Sequence, residues 1–247
     1  MKPIILSLLL AGLVCPVLLA VASTPARSER IRVLVVTGGH GFEREAFLRV
    51  FRDNSEITFV HAEHRKGTAD AYDRGDLTDY EVVVPYDMPR DLTAAQKEKF
   101  LGLMRRGTGL VVLHHALVSY QGWPEYERII GGRYPEPGPK SGAVTPEVGY
   151  EHDVEVPVII AAPDHPVSAG VENFTIHDEI YWGFRVGKDV TPLLTTTHPR
   201  SGKPLAWCRL EGRARIVYLQ SGHDAAAYSN PAFRRLLANA IRWASGH

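Results

Sequence analysis

Arg32 to Thr37, RVLVVT, runs into Gly38-Gly39 and is followed from Glu43 to Asp53 by apolar residues at helical spacing: Ala46, Phe47, Val50 and Phe51. A β-branched run, a glycine turn and an amphipathic helix make the opening unit of a doubly wound α/β domain. The pattern recurs downstream. Ile57 to His61 reads as a second strand, and Glu81 to Pro85 (EVVVP) as a third, continuous enough in apolar residues to be buried on both faces. Thr93 and Gln96 form a capping box, Phe100, Leu101 and Met104 line one helical face, and Gly107 stands at its C-terminal cap. Leu110 to Leu113 (LVVL) is the next buried strand. Strand and helix alternating through short links call for a parallel sheet.

Further on the pattern changes. Gly131 to Glu147 is rich in glycine and proline and reads as a long loop over the sheet edge. Glu151 to Val156, Pro192 to Thr196, Pro204 to Arg209 and Arg215 to Leu219 read as strands, the last two joined by a hairpin turn at Glu211-Gly212, so antiparallel strands extend the sheet. Pro231 to Trp243 closes the chain as an amphipathic helix with proline in its first turn. The expected fold is α/β, with a doubly wound, mostly parallel, flavodoxin-like sheet and added antiparallel strands.

At the amino terminus, Lys2 precedes an apolar run from Pro3 to Val21, interrupted by Ser7 and Gly12 and ending in Ala20-Val21-Ala22. This is the pattern of a secretory signal peptide over 1–22, cleaved after Ala22, with 23–30 a short linker and 31–245 a single domain. A membrane anchor of about 20 residues is the alternative, and acylation at Cys15 is disfavoured by bulky Leu13 and Val14 before it. The expected location is secreted or periplasmic, with no stable membrane insertion after cleavage. Cleavage leaves Cys208 as the single cysteine, so no intrachain disulfide forms and stability comes from a packed core. It also takes Lys and Arg from 28 to 27 against 28 Asp and Glu, a balance that argues against nucleic acid as a partner. Asn173-Phe174-Thr175 matches a glycosylation sequon, meaningful only in a glycosylating host. Nothing in the chain specifies a homo-oligomer, and that possibility stays open.

In open α/β sheets, ligands bind outside the carboxyl ends of the strands. The residues just past the expected strands are Gly38-Gly39-His40-Gly41, Tyr86-Asp87, His114-His115 and Ser221-Gly222-His223-Asp224. Imidazoles and carboxylates thus come to one rim from four strand ends. Each has a bland alternative: a tight turn for His40, a helix cap for Asp87, a satisfied buried ring for His114 or His115, a loop brace for Asp224. A cluster of such groups costs free energy unless paired, hydrogen-bonded or metal-bound. The glycine-rich turn lacks the lysine and spacing of a phosphate loop, so no nucleotide cofactor is expected. His177-Asp178-Glu179-Ile180-Tyr181-Trp182 is a dense polar and aromatic stretch. In an extended segment His177, Glu179 and Tyr181 share one face, which with Trp182 suits a polyol. Leu113-His114-His115-Ala116 stands where a nucleophile elbow would be yet offers neither serine nor cysteine. Cys208, in an expected strand with no obvious partner, makes covalent cysteine catalysis improbable.

RVLVVTGGHGFE, GLVVLHHA, HDEIYW and ARIVYLQSGHD, in that order between Arg32 and Ala244, resemble the ThuA-like (trehalose utilisation) family. The resemblance implies the class I glutamine amidotransferase-like fold with the elbow cysteine lost, His115 standing in its place, and no glutaminase activity. It associates the chain with bacterial use of trehalose, sucrose-like disaccharides and their 3-keto derivatives. It supports His40, His115, Glu179, Tyr181, His223 and Asp224 as site positions. The sequence departs at Gly41-Phe42-Glu43, where a second histidine is common.

The functional expectation is a carbohydrate-processing enzyme acting on a disaccharide or keto-sugar by acid-base or metal-assisted proton transfer. His115, Glu179, His223 and Asp224 are the expected catalytic residues; His40, Asp87, His114, His177, Tyr181 and Trp182 contact the substrate. A divalent metal, if used, would be held by His40, His115, Glu179 and His223. The alternative is an exported sugar-binding module without turnover.

Overall fold

The computed structural model describes residues 30–89, 91–135 and 147–247. The expected signal peptide, most of the expected linker and most of the Gly/Pro-rich loop lie outside the described residues. Among those described, no helix is long and apolar enough to cross a membrane.

The parallel half of the sheet is built from β1 (Ile31–Gly38), β2 (Ile57–Glu63), β3 (Val82–Asp87), β4 (Gly109–Leu113) and β11 (Ala214–Leu219), ordered β2-β1-β3-β4-β11. Both faces of these strands are buried: Val33 and Val35 point to one side, Leu34 and Val36 to the other. Helices α1 (Arg44–Arg52) and α5 (Pro231–Ser245) cover the first side with Phe47, Phe51, Leu236 and Ile241. Helices α2 (Ala94–Arg106) and α3 (Pro124–Ile130) cover the second with Phe100, Leu103, Ile129 and Ile130. This is the expected doubly wound arrangement.

The capping box is made: Thr93 accepts from the Gln96 N–H at 3.3 Å and the Gln96 side chain accepts from the Thr93 N–H at 2.9 Å, while Gly107 ends α2 with φ +86°. Between β2 and β3 the chain crosses through two short 3₁₀ turns, Asp70–Asp73 and Leu77–Asp79. Helix α3 was not anticipated; Pro124 opens it and Gly131, φ +75°, closes it, so the expected loop begins instead with a helix cap and β5 (Gly132–Arg133), which pairs with β8 (Arg185–Val186).

The antiparallel half adds β10 (Ala206–Glu211), β9 (Thr191–Thr196), β6 (Gly149–Ile160) and β7 (Phe174–Trp182) in that order beyond β11. Strand β6 is longer than the alternation from Glu151 to Val156 implied, because it pairs with both β7 and β9. Its register against β7 slips between Glu151 and Val154, where three steps along β6 face two along β7 and Asp153 takes φ +58°. One extra residue there makes a bulge that bends the strand. In strand order β7 is five spacings from β4, which in a flat sheet would separate them by about 24 Å. Yet Glu179 of β7 approaches His114, the residue after β4, to 2.9 Å. The antiparallel half therefore curls back across the carboxyl edge of the parallel half.

Candidate active site

The site begins at the turn that ends β4. His114 is a non-glycine residue at φ +51°, the sharp strand-to-helix bend of a nucleophile elbow, and Tyr218 donates to its carbonyl at 3.2 Å. Resemblance put His115 at the elbow; the bend falls one residue earlier. The consequence is geometric. His114 turns its ring toward the sheet's carboxyl edge, whereas His115 passes under Tyr86, ring centroids 4.3 Å apart.

At the cluster, His114 Nε2 lies 2.9 Å from Glu179 Oε2 and 3.2 Å from His223 Nδ1, and His223 Nδ1 lies 3.3 Å from the same carboxylate oxygen. Tyr181, two residues along β7 from Glu179, places its hydroxyl 2.9 Å from His114 Nε2. His152 completes the group with Nδ1 3.3 Å from Glu179 Oε1. Burial raises the Glu179 carboxyl, but hydrogen bonds with His114 and His223 outweigh it and hold the group well below the usual carboxylate range. The bond to Glu179 pushes the His223 imidazole up against the opposing effect of burial. Burial keeps the Tyr181 phenol far above its ordinary value, a neutral donor.

The loop after β11 is fixed from β7. Asp178 accepts from the backbone N–H groups of Gly222 and His223 at 2.9 and 3.0 Å. Burial raises its carboxyl; the charge of His114 and these N–H groups pull the other way. The Tyr86 hydroxyl donates to the Gly222 carbonyl at 2.9 Å, and that of Tyr228 to the His223 carbonyl at 3.0 Å. His223 is thereby anchored from three elements.

A cleft of about 580 Å³ lies over the ends of β1, β2 and β3, lined by Gly39, His40, His64, Lys66, Pro89 and Asp91 among others. This is the topological switch point of the strand order, where β1 has neighbours on both sides. The glycine turn serves the protein's own backbone: at Gly39, φ +84°, a Cβ would stand 2.6 Å from the Met88 carbonyl carbon. His40 links cleft to cluster, its ring 4.6 Å from that of His115, which is 5.3 Å from that of His114. Burial drives the His115 imidazole well below its ordinary value, and neither of its ring nitrogens has a partner of hydrogen-bonding geometry.

The residues expected at the rim thus divide. His114, Glu179, Tyr181 and His223 meet, with the tilted ring pair of His40 and His115 beside them. The anticipated metal set of His40, His115, Glu179 and His223 does not converge; among the described residues the donors within 4.8 Å of one another belong to His114, Glu179 and His223. Asp87 is wholly buried, accepting from Tyr120 at 2.7 Å and pairing with His64 at 2.9 Å, so it braces the cleft wall from behind. Asp224 caps α4 (Ala225–Ser229), accepting from the Ala227 N–H at 3.0 Å, the loop-bracing role. His177 shares the face of Glu179 but lies further along the strand, paired with Glu155 and Asp153 at 2.9 and 3.5 Å. Trp182 packs against the core on the opposite face from Tyr181. Cys208 does have a neighbour, His165 Nε2 at 3.4 Å, but burial pushes its thiol up to about 11, so it is no thiolate nucleophile.

His152, the bracing roles of Asp178 and Tyr86, and the His64–Asp87 pair were not foreseen. His152 reaches the site only because of the bulge in β6, which the sequence does not mark. A run of polar residues within an apolar-flanked strand, as at Asp178-Glu179, is the signal that could have found Asp178.

The family profile ThuA, described as trehalose utilisation, matches residues 32–244. A solved ThuA-like protein from Parabacteroides merdae superposes with a TM-score of 0.75 at 20% identity, covering 88% of this chain and 90% of that one. A second, from Bacteroides uniformis, gives 0.64 at 22% identity, covering 90% and 94%. PurLQS from Thermotoga maritima gives 0.55 at 15% identity, covering 87% and 99%. No curated protein matches the chain.

Proposed function

Because the chain belongs to the ThuA family, we propose that it is a carbohydrate-processing enzyme, converting a disaccharide or its keto derivative by proton transfer at the His114–Glu179–His223 cluster. One observation carries this reading: two imidazoles, a carboxylate and a neutral phenol converge at the carboxyl edge of the sheet, beside a cleft large enough for sugar rings. Groups of this kind exchange protons with hydroxyl and carbonyl oxygens, and a ketone next to a C–H bond is where such exchange makes and breaks bonds. Glu179 stays anionic and His223 holds its proton more tightly than a free imidazole, so the pair offers a base and an acid. The elbow carries imidazole in place of a nucleophile, so glutamine hydrolysis through a thioester is not part of the proposal.

The test is a product screen of the purified protein against trehalose, sucrose and their 3-keto derivatives, followed by chromatography. New product from a keto-disaccharide supports the reading. Saturable binding without product over long incubation would reduce the protein to a sugar-binding module.

Export belongs to the same proposal. The segment from Lys2 to Ala22 would direct secretion and then be removed. Amino-terminal sequencing of protein recovered from the native host is expected to begin at Ser23. Recovery of the intact Met1 terminus from the cytoplasm overturns this part alone.

A further inference from the structure

The hydrogen-bond pattern at the cluster asks for more than a proton. His114 Nδ1 lies 2.7 Å from the Gln220 carbonyl, which only accepts, so that nitrogen carries a hydrogen and Nε2 is the nitrogen turned inward, free to bind a cation. Nε2 faces the Glu179 carboxylate at 2.9 Å, His223 Nδ1 at 3.2 Å and the Tyr181 hydroxyl at 2.9 Å. The Tyr181 hydroxyl supplies one hydrogen. Protons on single nitrogens would serve these contacts only pair by pair. A cation bound by His114 Nε2, Glu179 Oε2 and His223 Nδ1 satisfies all three of these atoms together.

The spacing fits such a cation. For metal–ligand bonds of about 2.0–2.1 Å, neighbouring ligand atoms are about 3.0 Å apart in an octahedron and about 3.3 Å apart in a tetrahedron. The three separations between His114 Nε2, Glu179 Oε2 and His223 Nδ1 are 2.9, 3.2 and 3.3 Å. A point can therefore sit at bonding distance from all three atoms on one side of the triangle they form.

We propose that His114 Nε2, Glu179 Oε2 and His223 Nδ1 bind a divalent transition-metal ion. Two imidazoles and one carboxylate favour Zn²⁺, Mn²⁺ or Fe²⁺ over calcium or magnesium, which take oxygen ligands. Three protein ligands leave positions open for water or for substrate oxygens, as catalytic sites do. The supports that orient metal ligands elsewhere are here as well: the Gln220 carbonyl on His114, His152 on the second oxygen of Glu179, and Asp178 on the backbone of His223. The metal would take over from the Glu179–His223 proton pair in the carbohydrate conversion proposed above, polarising a carbonyl or hydroxyl oxygen, and in that sense the inference rests on that reading.

The experiment uses the metal alone. Chelator-treated protein is titrated with Zn²⁺ by calorimetry and with Co²⁺ by visible absorption, alongside Glu179→Gln, His223→Ala and the control His177→Ala, each checked for fold by circular dichroism. About one ion per chain is expected for wild type and for His177→Ala. Loss of outer-shell partners alone costs metal sites about 10–100-fold, so loss of a ligand in Glu179→Gln or His223→Ala is expected to weaken binding by at least about 100-fold. Folded wild-type protein that binds neither ion, or binding unchanged in both ligand variants, overturns the proposal. If a variant fails to fold, the wild-type titration decides. The two readings fail separately: stoichiometric metal with no sugar turnover removes the carbohydrate function and leaves the site, whereas full turnover by metal-free protein removes the metal and leaves the function.

Discussion

Glu179→Gln is expected to lower kcat on the proposed keto-sugar substrate by about 10²–10⁴-fold, the range that a positioned proton-transfer group contributes. The substitution keeps the shape of the side chain and removes its charge. Glu179 is the carboxylate that both His114 and His223 face, and it is 5% exposed, so no solvent ion can replace it. Without that charge the His223 imidazole loses the interaction that raises it above its ordinary value. The fold should tolerate the change, because the amide still offers an oxygen and two N–H donors to the surrounding rings. The decisive comparison is therefore kcat against the thermal unfolding midpoint in one preparation. A folded variant with undiminished kcat would remove Glu179 from the chemistry.

Asp87→Ala should act in the opposite manner, on stability first. The Asp87 and His64 side chains are almost wholly withdrawn from solvent, 0% and 1% exposed, and the carboxylate also receives the Tyr120 hydroxyl. Truncation leaves an imidazole N–H and a phenol with no acceptor in the interior. Removing one member of a buried pair costs about 3–5 kcal/mol. At about 2–4 °C per kcal/mol for a domain of this size, the unfolding midpoint falls by roughly 6–20 °C. Asp87→Asn, which retains an acceptor oxygen, should lose less. An Asp87→Ala midpoint within the error of wild type would show that the pair contributes nothing net.

The parallel half of the fold was legible because burial on both faces leaves a plain trace: RVLVVT, EVVVP and LVVL admit few other readings, and Thr93, Gln96 and Gly107 mark the helix between two of them. The rim was legible for the same reason, since strand ends locate it. Which of two adjacent histidines takes the positive φ was not, because the bend depends on how the following turn packs and not on residue type. Alternation correctly joined Glu179 to Tyr181. It also joined His177, which two residues of extended chain, about 6.6 Å, carry away from the cluster. Asp87 was misplaced since a rim position and a buried brace just behind it look alike in sequence. His152 depends on a bulge, and the curl that brings β7 to β4 is a property of the whole sheet.

That curl makes the site a seam. The elbow after β4 and the strand β7 lie at distant places in the strand order, separated across the hydrogen-bonded sheet by β11, β10, β9 and β6. Asp178 on the Gly222 and His223 amides and Glu179 on the two imidazoles are stitches across it. The geometry of the cluster and the closure of the sheet are thus one equilibrium seen from two sides. If the antiparallel flap lifts, the cluster comes apart while the parallel core and its cleft stay folded, and whatever bridges the cluster pulls the flap shut.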